Sequence, residues 1–136
     1  MTEILLNRKF DRSAITAAFI ALIFSISQSA AAATSGDAAK GKAAYAQRCG
    51  ACHSIEFNGA GPAHHGVFGR KAGSVAGFAY SPALKASGVT WTSETLEKWL
   101  SDPDKFIPGQ KMWISVPDAA ERQDIIAYLR AETAQK

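Results

Sequence analysis

Two cysteines and a histidine, arranged as Cys49-Gly50-Ala51-Cys52-His53, constrain this chain of 136 residues more than any other feature. On a helical turn, side chains three and four positions apart share one face, so the two thiols and the imidazole would point the same way. This spacing is the attachment pattern of c-type haem. Each thiol would form a thioether with one haem vinyl group, and the imidazole would reach the iron as an axial ligand. We therefore predict one covalently bound haem c held by Cys49, Cys52 and His53.

Other uses of the two cysteines fit the sequence less well. A disulfide between them would close too short a loop to stabilise a fold much. A four-thiolate zinc or iron–sulfur site needs a second cysteine pair, and the chain has only two cysteines. A thioredoxin-like dithiol, the remaining alternative, follows a strand in a strand–helix–strand unit. Here a helical pattern over residues 37–48 precedes the motif instead.

The N-terminal residues 1–33 have the composition of an export signal. A basic stretch precedes an apolar run over 14–26, and the segment ends in four alanines. The apolar run is shorter than the roughly 20 residues that span a bilayer, and small residues suit signal-peptidase cleavage. We expect cleavage near Thr34, a periplasmic location and a mature domain over 34–136. The alternative is an uncleaved membrane anchor over 14–33.

The rest of the chain predicts helices joined by long loops, without a competing strand pattern. Capping residues and apolar residues spaced three and four apart mark four helical segments, at residues 37–48, 81–88, from Thr92 or Ser93 to Asp102-Pro103, and from Asp118 onward. Residues 54–77 contain six glycines and no periodic pattern, which predicts an ordered irregular loop. Long loops in compact domains are usually functional. We predict an all-α fold of short helices and long loops wrapped around the haem.

The C-terminal segment has the clearest helical pattern. Asp118 and Glu121 have the spacing of a capping box. Three apolar residues share the face that we expect to be buried, namely Ile125, Tyr128 and Leu129. We expect the charged residues to lie mostly outside that face, namely Arg122, Asp124 and Arg130.

Met112 is the candidate for the second axial ligand of the iron. It follows Pro108-Gly109 in a loop, and Met1 is the only other methionine. A core methionine would be a flexible gap filler, but a loop methionine distant in sequence from His53 can close over the opposite haem face. We predict ligation by Met112. The alternative is an open distal site, as in a peroxidase or a gas-binding protein.

Further motifs accompany these residues in order, and with them the chain resembles class I cytochrome c, in particular the small bacterial periplasmic electron carriers. The similarity covers about residues 36–132 and includes Gly61-Pro62, Gly69-Arg70-Lys71, Gly77-Phe78-Ala79-Tyr80-Ser81, Trp91, Pro108 to Met112 and Ile126-Ala127-Tyr128-Leu129. The resemblance implies a cytochrome c fold, with His53 and Met112 as axial ligands. It also implies that the Pro62 carbonyl accepts the other N–H of His53 and orients the ring.

The same resemblance implies roles for polar and aromatic residues around the haem. Buried propionates need hydrogen-bond donors, and the matching positions are Arg70, Tyr80, Ser81 and Trp91. Trp99 falls where relatives place an aromatic residue near the methionine ligand. The N-terminal and C-terminal helices would cross where Gly41 and Tyr45 meet Ile125 and Tyr128.

One position departs from the pattern of the family. Relatives usually have Asn-Leu-His-Gly after the Gly-Pro, with the leucine packed beside the haem, whereas this chain has Ala63-His64-His65-Gly66. We expect His64 to rotate to the surface and be solvated. The alternative is a neutral imidazole near the haem that makes the reduction potential sensitive to pH.

The predicted function is that of a monomeric one-electron carrier rather than an enzyme. Redox proteins would dock transiently at the exposed haem edge, where Arg48, Lys98, Lys105 and Lys111 could form a positive face. The alternative is that these scattered basic residues are only an ordinary solvated surface. No cluster of Lys and Arg suggests nucleic acid binding. Contact with a membrane would occur only through partners, unless the N-terminal segment is retained.

Overall fold

The computed structural model describes residues 36–134, and the export signal predicted over 1–33 lies outside them. The described helices are α1 (Ala38–Arg48), α2 (Pro82–Ala86), α3 (Ser93–Ser101), α4 (Pro103–Phe106) and α5 (Ala119–Ala134). Within residues 36–134, β-structure is limited to an isolated antiparallel bridge between Lys71 and Thr90. The predicted all-α architecture is therefore confirmed. Among these described helices, none is long and apolar enough to cross a membrane.

Side-chain caps start the first three helices where the sequence predicts. Asp37 caps α1 by accepting two backbone N–H groups at 2.8 and 3.1 Å. Ser81 caps α2, which has Pro82 in its first turn. Thr92 caps α3 in a reciprocal pair of hydrogen bonds with Thr95. These side chains satisfy N–H groups that have no partner inside the helix.

Helix α4 was not predicted, because Asp102-Pro103 was expected only to end a helix. The α3 helix does end before this pair, but Asp102 then caps a new helix by accepting the N–H of Lys105 at 3.1 Å. Pro103 lies in the first turn of that helix, where its missing N–H costs nothing. The same two residues therefore end one helix and begin the next.

The core forms where α5 packs against α1 and α3. The predicted apolar face of α5 is buried, with Ile125 entirely inaccessible to solvent. Ile126 is buried as well. Tyr45 of α1 lies against Tyr128 of α5, with ring centroids 5.3 Å apart. This pair of helices forms the frame from which the functional loops emerge.

Gly41 lies where the backbones of α1 and α5 come closest. A Cβ atom at Gly41 would lie 1.9 Å from the carbonyl oxygen of Asp124, far inside any real contact. The carboxylate of Asp124 also accepts the N–H of Asp37 at 2.7 Å. A glycine in the middle of a helix costs about 1 kcal/mol relative to alanine, and this close crossing accounts for its presence.

Two charged residues of α5 behave differently from the prediction. Asp118 accepts the N–H of Glu121 at 2.7 Å, but the Glu121 carboxylate binds Arg48 of α1 through two hydrogen bonds of 3.0 Å instead of closing a capping box. Arg122 was expected outside the buried face, yet its side chain is only 11% exposed. Its guanidinium binds Glu97 at 2.6 Å and donates to two loop carbonyls that have no helical partner.

Replacing Gly41 with alanine tests the helix crossing. Helix propensity alone predicts a gain of about 1 kcal/mol, whereas the clash with the Asp124 carbonyl predicts a net loss of about 1–3 kcal/mol in the free energy of unfolding. Guanidinium titration of purified Gly41→Ala measures whether its free energy of unfolding is lower or higher than that of the parent. The exposed Ala43→Gly variant is the control, because it should show only the propensity cost of about 1 kcal/mol. A Gly41→Ala protein more stable than the parent would contradict the crossing.

Candidate haem site

The cysteine–histidine motif continues directly from the end of α1. The N–H groups of Cys49 and Gly50 donate to the Tyr45 carbonyl at 2.8 and 3.0 Å, so the helical hydrogen bonding extends into the motif. The N–H of His53 then donates to the Cys49 carbonyl at 2.8 Å. This helical turn brings both cysteines and the imidazole to the wall of one cavity.

The chemistry of the two cysteines disfavours a dithiol redox centre. Cys49 is partly buried and Cys52 is exposed, and the two form no disulfide with each other. Burial raises the pKa of the Cys49 thiol to about 11. A reactive thiol–disulfide centre depends on a lowered thiol pKa, usually at a helix N-terminus or beside a cation. This motif instead follows the C-terminal end of a helix, and the charge of Arg48 only partly offsets the effect of burial on Cys49, so the thioredoxin-like alternative is disfavoured.

A cavity of about 490 Å³ collects every site residue predicted from the sequence. Its lining includes Cys49, Cys52, His53, Pro62, Arg70, Tyr80, Ser81, Trp91, Trp99 and Met112. Buried apolar residues supply much of the remaining wall, among them Leu96, Leu100 and Ile125. A mainly apolar wall with thiols, an imidazole, a thioether and a few hydrogen-bond donors suits a haem, which combines an apolar ring with two carboxylates. The residues present therefore fit the group that the motif implies.

The ring of His53 contacts Pro62 and Gly61 closely. Its Nδ1–H donates to the Pro62 carbonyl at 2.8 Å, which leaves Nε2 as the nitrogen available to a metal. Gly61 lies so close that a Cβ atom there would come within 2.2–2.6 Å of ring atoms. Burial lowers the pKa of His53, partly offset by the hydrogen bond to Pro62, and thus favours the neutral imidazole that a metal requires.

His64 does not rotate to the surface, and the expectation of a solvated side chain is wrong. Its ring stacks on that of His53, with centroids 4.2 Å apart and planes inclined by 18°. Its Nδ1 forms a hydrogen bond of 3.1 Å with the Tyr45 hydroxyl. Burial, with smaller contributions from His53 and Arg70, lowers the pKa of His64 to about 3. The ring is therefore held as a neutral, partly buried group, because Tyr45 offers it a partner inside the protein.

Two of the residues expected to bind the haem propionates also form hydrogen bonds with the protein backbone. The Arg70 guanidinium donates to the carbonyls of His65 and Ala63 at 2.6 and 2.8 Å. Two of its five N–H groups are thus engaged, and others remain available. The Ser81 oxygen accepts the N–H of Leu84 at 3.2 Å, which leaves its own hydroxyl proton free to donate. Burial raises the pKa of Tyr80, so its hydroxyl stays a donor at neutral pH.

Gln110 is a site residue that the sequence analysis missed. Its side chain is buried, with 5% of the residue exposed. Gln110 Oε1 accepts the N–H of Met112, while Nε2 donates to the Met112 carbonyl at 2.8 Å and to Asp104 of α4 at 2.9 Å. One amide thus holds both backbone polar groups of Met112. No local pattern distinguishes a glutamine of this kind from a solvated loop residue.

The rim of the cavity carries exposed apolar residues rather than a continuous basic surface. Trp113 is 83% exposed and Ile114 is 49% exposed, and both line the cavity together with Lys111. Two members of the predicted positive face are engaged elsewhere: Arg48 pairs with Glu121 and Lys98 pairs with Glu94. The positive face is therefore weaker than the count of basic residues suggests.

The attachment motif and the cavity around it define a protein that binds c-type haem. The family model for cytochrome c matches residues 38–132, and the chain belongs to the cytochrome c family. Members of this family carry one covalently attached haem c and serve as electron carriers. The predicted family, fold and cofactor are therefore confirmed.

Individual relatives agree with this assignment. Cytochrome c 2.1 of Caenorhabditis elegans is 48% identical over 103 residues, which cover 74% of this chain and 93% of the nematode protein. Cytochrome c of Arabidopsis thaliana is 44% identical over 102 residues, covering 72% of this chain and 91% of the plant protein. The solved structure of cytochrome cH from Methylobacterium extorquens matches with 50% identity and a TM-score of 0.68, covering 71% of this chain and 99% of that one.

Replacing Gly61 with alanine tests the packing around His53. The new Cβ atom would overlap the imidazole, so the ring must move or the loop must shift, and we expect the free energy of unfolding to fall by about 1–3 kcal/mol. Denaturant titration of the haem-loaded protein measures the loss. Ala76→Ser adds one atom at an exposed position of the same long loop and should stay within about 0.5 kcal/mol of the parent. A Gly61→Ala protein with the parent's stability and absorption spectrum would count against this packing.

Proposed function

We propose that this protein is a mobile one-electron carrier in which His53 and Met112 are the axial ligands of the haem iron. One observation carries the proposal, namely that the Cys49–His53 turn and the Met112 loop line the same cavity. When bound, the haem supplies the iron that takes up and releases one electron. A methionine paired with a histidine raises the reduction potential of such an iron. The protein itself makes and breaks no bonds of a substrate.

The chain's own residues exclude water and hold charge. Trp91, Trp99 and Leu100 are buried around the cavity, and the two indoles lie 5.4 Å apart. An apolar surrounding of this kind limits solvent access, which is one of the controls on reduction potential. The propionates would receive hydrogen bonds from the donors that line the cavity, namely Arg70, Tyr80, Ser81 and Trp91.

The rim residues favour brief contacts with redox partners. Trp113 and Ile114 offer an apolar contact beside Met112, and Lys111 adds a positive charge at the same place. Electron-transfer complexes of this type bury less than about 1,200 Å² in total. A small apolar contact with few free charges suits a monomer that binds one redox protein, releases it and binds the next.

The optical spectrum tests the proposed ligation. We expect the ferric protein to show a methionine-to-iron charge-transfer band and the ferrous protein not to bind carbon monoxide. Met112→Ala should lose the band and bind carbon monoxide, because the sixth position becomes accessible. A parent protein that is high-spin and binds carbon monoxide would overturn the proposal in favour of an open distal site, as in a peroxidase or a gas-binding protein.

A second variant tests the support of the methionine. Gln110→Ala removes the amide that binds both backbone groups of Met112, so the charge-transfer band should disappear at a lower temperature than in the parent. Gln47→Ala, at an exposed position of α1, is the matched control and should leave the band unchanged. If the band disappears at the same temperature in Gln110→Ala and in the parent, Gln110 does not position Met112.

Export completes the proposed function. A carrier that moves between redox partners in the periplasm needs the segment 1–33 to be removed, and the four alanines before Thr34 support cleavage there. Intact-mass measurement of the protein isolated from its native cells should give a chain that starts near Thr34. A mass that includes residues 1–33 would instead mean a membrane-anchored carrier.

A further inference from the structure

His64 offers the neighbouring histidine ring a well-defined surface that an aliphatic residue would not. The two imidazoles stack nearly in parallel, with an inclination of 18° at a centroid distance of 4.2 Å. We propose that His64 is a positioning residue that sets the rotational orientation of the His53 ring, through this stack and a hydrogen bond to Tyr45. The inference rests on the proposed role of His53 as an axial ligand and extends it.

Pro62 and Gly61 already restrain the His53 ring, and His64 adds a near-parallel contact along the ring face. Rotation of an imidazole about its Cβ–Cγ bond has a broad energy profile, so the rotamer alone does not fix the ring plane. The bond from Nδ1 to the Pro62 carbonyl holds one atom of the ring. A flat neighbour in near-parallel contact restricts tilting of the whole plane, because a tilt must either open a gap or overlap the stacked ring. A leucine at position 64 would fill the space without defining a plane.

Tyr45 connects the stacked histidine rings to the helical core. Its hydroxyl bonds Nδ1 of His64 at 3.1 Å, and its ring meets the imidazole edge to face, with centroids 5.7 Å apart and an inclination of 67°. The Tyr45 ring is itself held against Tyr128 of α5. The orientation of His64 is therefore tied to the crossing of α1 and α5, and through the stack so is the orientation of His53.

Proton NMR of the ferric, haem-loaded protein tests the proposal. The paramagnetic shifts of the haem methyl groups depend on the orientations of both axial ligands, so a changed methyl pattern with unchanged Met112 signals reports a changed imidazole plane. We expect His64→Leu to change the order or the spread of these shifts. Tyr45→Phe, which keeps the packing against Tyr128 but removes the hydroxyl, should change them in the same sense and by a smaller amount.

The double variant separates positioning from a general loss of structure. If Tyr45 acts through His64, Tyr45→Phe should have no further effect on the methyl shifts in the His64→Leu background. Tyr128→Phe is the control, because it removes a nearby hydroxyl that does not bond His64, and it should leave the shifts unchanged. Methyl shifts like those of the parent in both single variants, or independent effects that add in the double variant, would overturn the proposal.

The same spectra distinguish this inference from the proposed ligation. Strongly shifted ring protons of His53 and side-chain protons of Met112 in the parent support axial ligation by both residues. If the His53 signals are absent, the ligation and the positioning role fail together. If the His53 signals are present and the haem methyl shifts are the same in His64→Leu as in the parent, only the positioning role fails.

Discussion

The helical turn that joins α1 to the cysteine–histidine motif is the constraint on which the rest of the structure depends. The Tyr45 carbonyl accepts the N–H groups of Cys49 and Gly50, and the Cys49 carbonyl accepts those of Cys52 and His53. Because the attachment residues continue the helix, their position is fixed wherever α1 is fixed. Helix α5 holds α1 through the Gly41 crossing and the Arg48–Glu121 pair. The same helix closes the cavity with Ile125 and Leu129, so one helix pair both carries the motif and walls the site.

The loops around the cavity are ordered by side chains that substitute for regular secondary structure. Arg70 binds the carbonyls of the loop after the motif, Arg122 binds those of the loop before α5, and Gln110 binds the backbone of Met112. Backbone carbonyls need hydrogen-bond partners, and these loop segments have no helix or sheet to provide them. Each of the three residues is polar, yet its main contribution here is to the packing of irregular chain. These hydrogen bonds hold the irregular loops around the cavity in a defined conformation.

The parts of the molecule that follow from local interactions were predictable from the sequence. Caps at Asp37 and Ser81 act within three residues, and the spacing of the haem motif fixes its own geometry on one helical turn. His64 was not predictable, because its environment is created by Tyr45, which lies 19 positions away in the sequence. Arg122 and its partner Glu97 are likewise 25 positions apart. A polar side chain is exposed by default, and only the tertiary structure shows which ones find a buried partner.

The contact between Gly41 and Asp124 also restricts how the molecule can move. Packed helices commonly slide past each other in shear motions of small amplitude. Here the α1 backbone rests directly on the Asp124 carbonyl, so a slip that placed any residue with a side chain at the Gly41 position would bring its Cβ atom onto that oxygen. The Asp124 carboxylate also accepts the N–H of Asp37, the residue that caps the start of α1. Because α1 leads directly into Cys49 and His53, a helix pair held in this register also restricts displacement of the attachment motif along the helix axis.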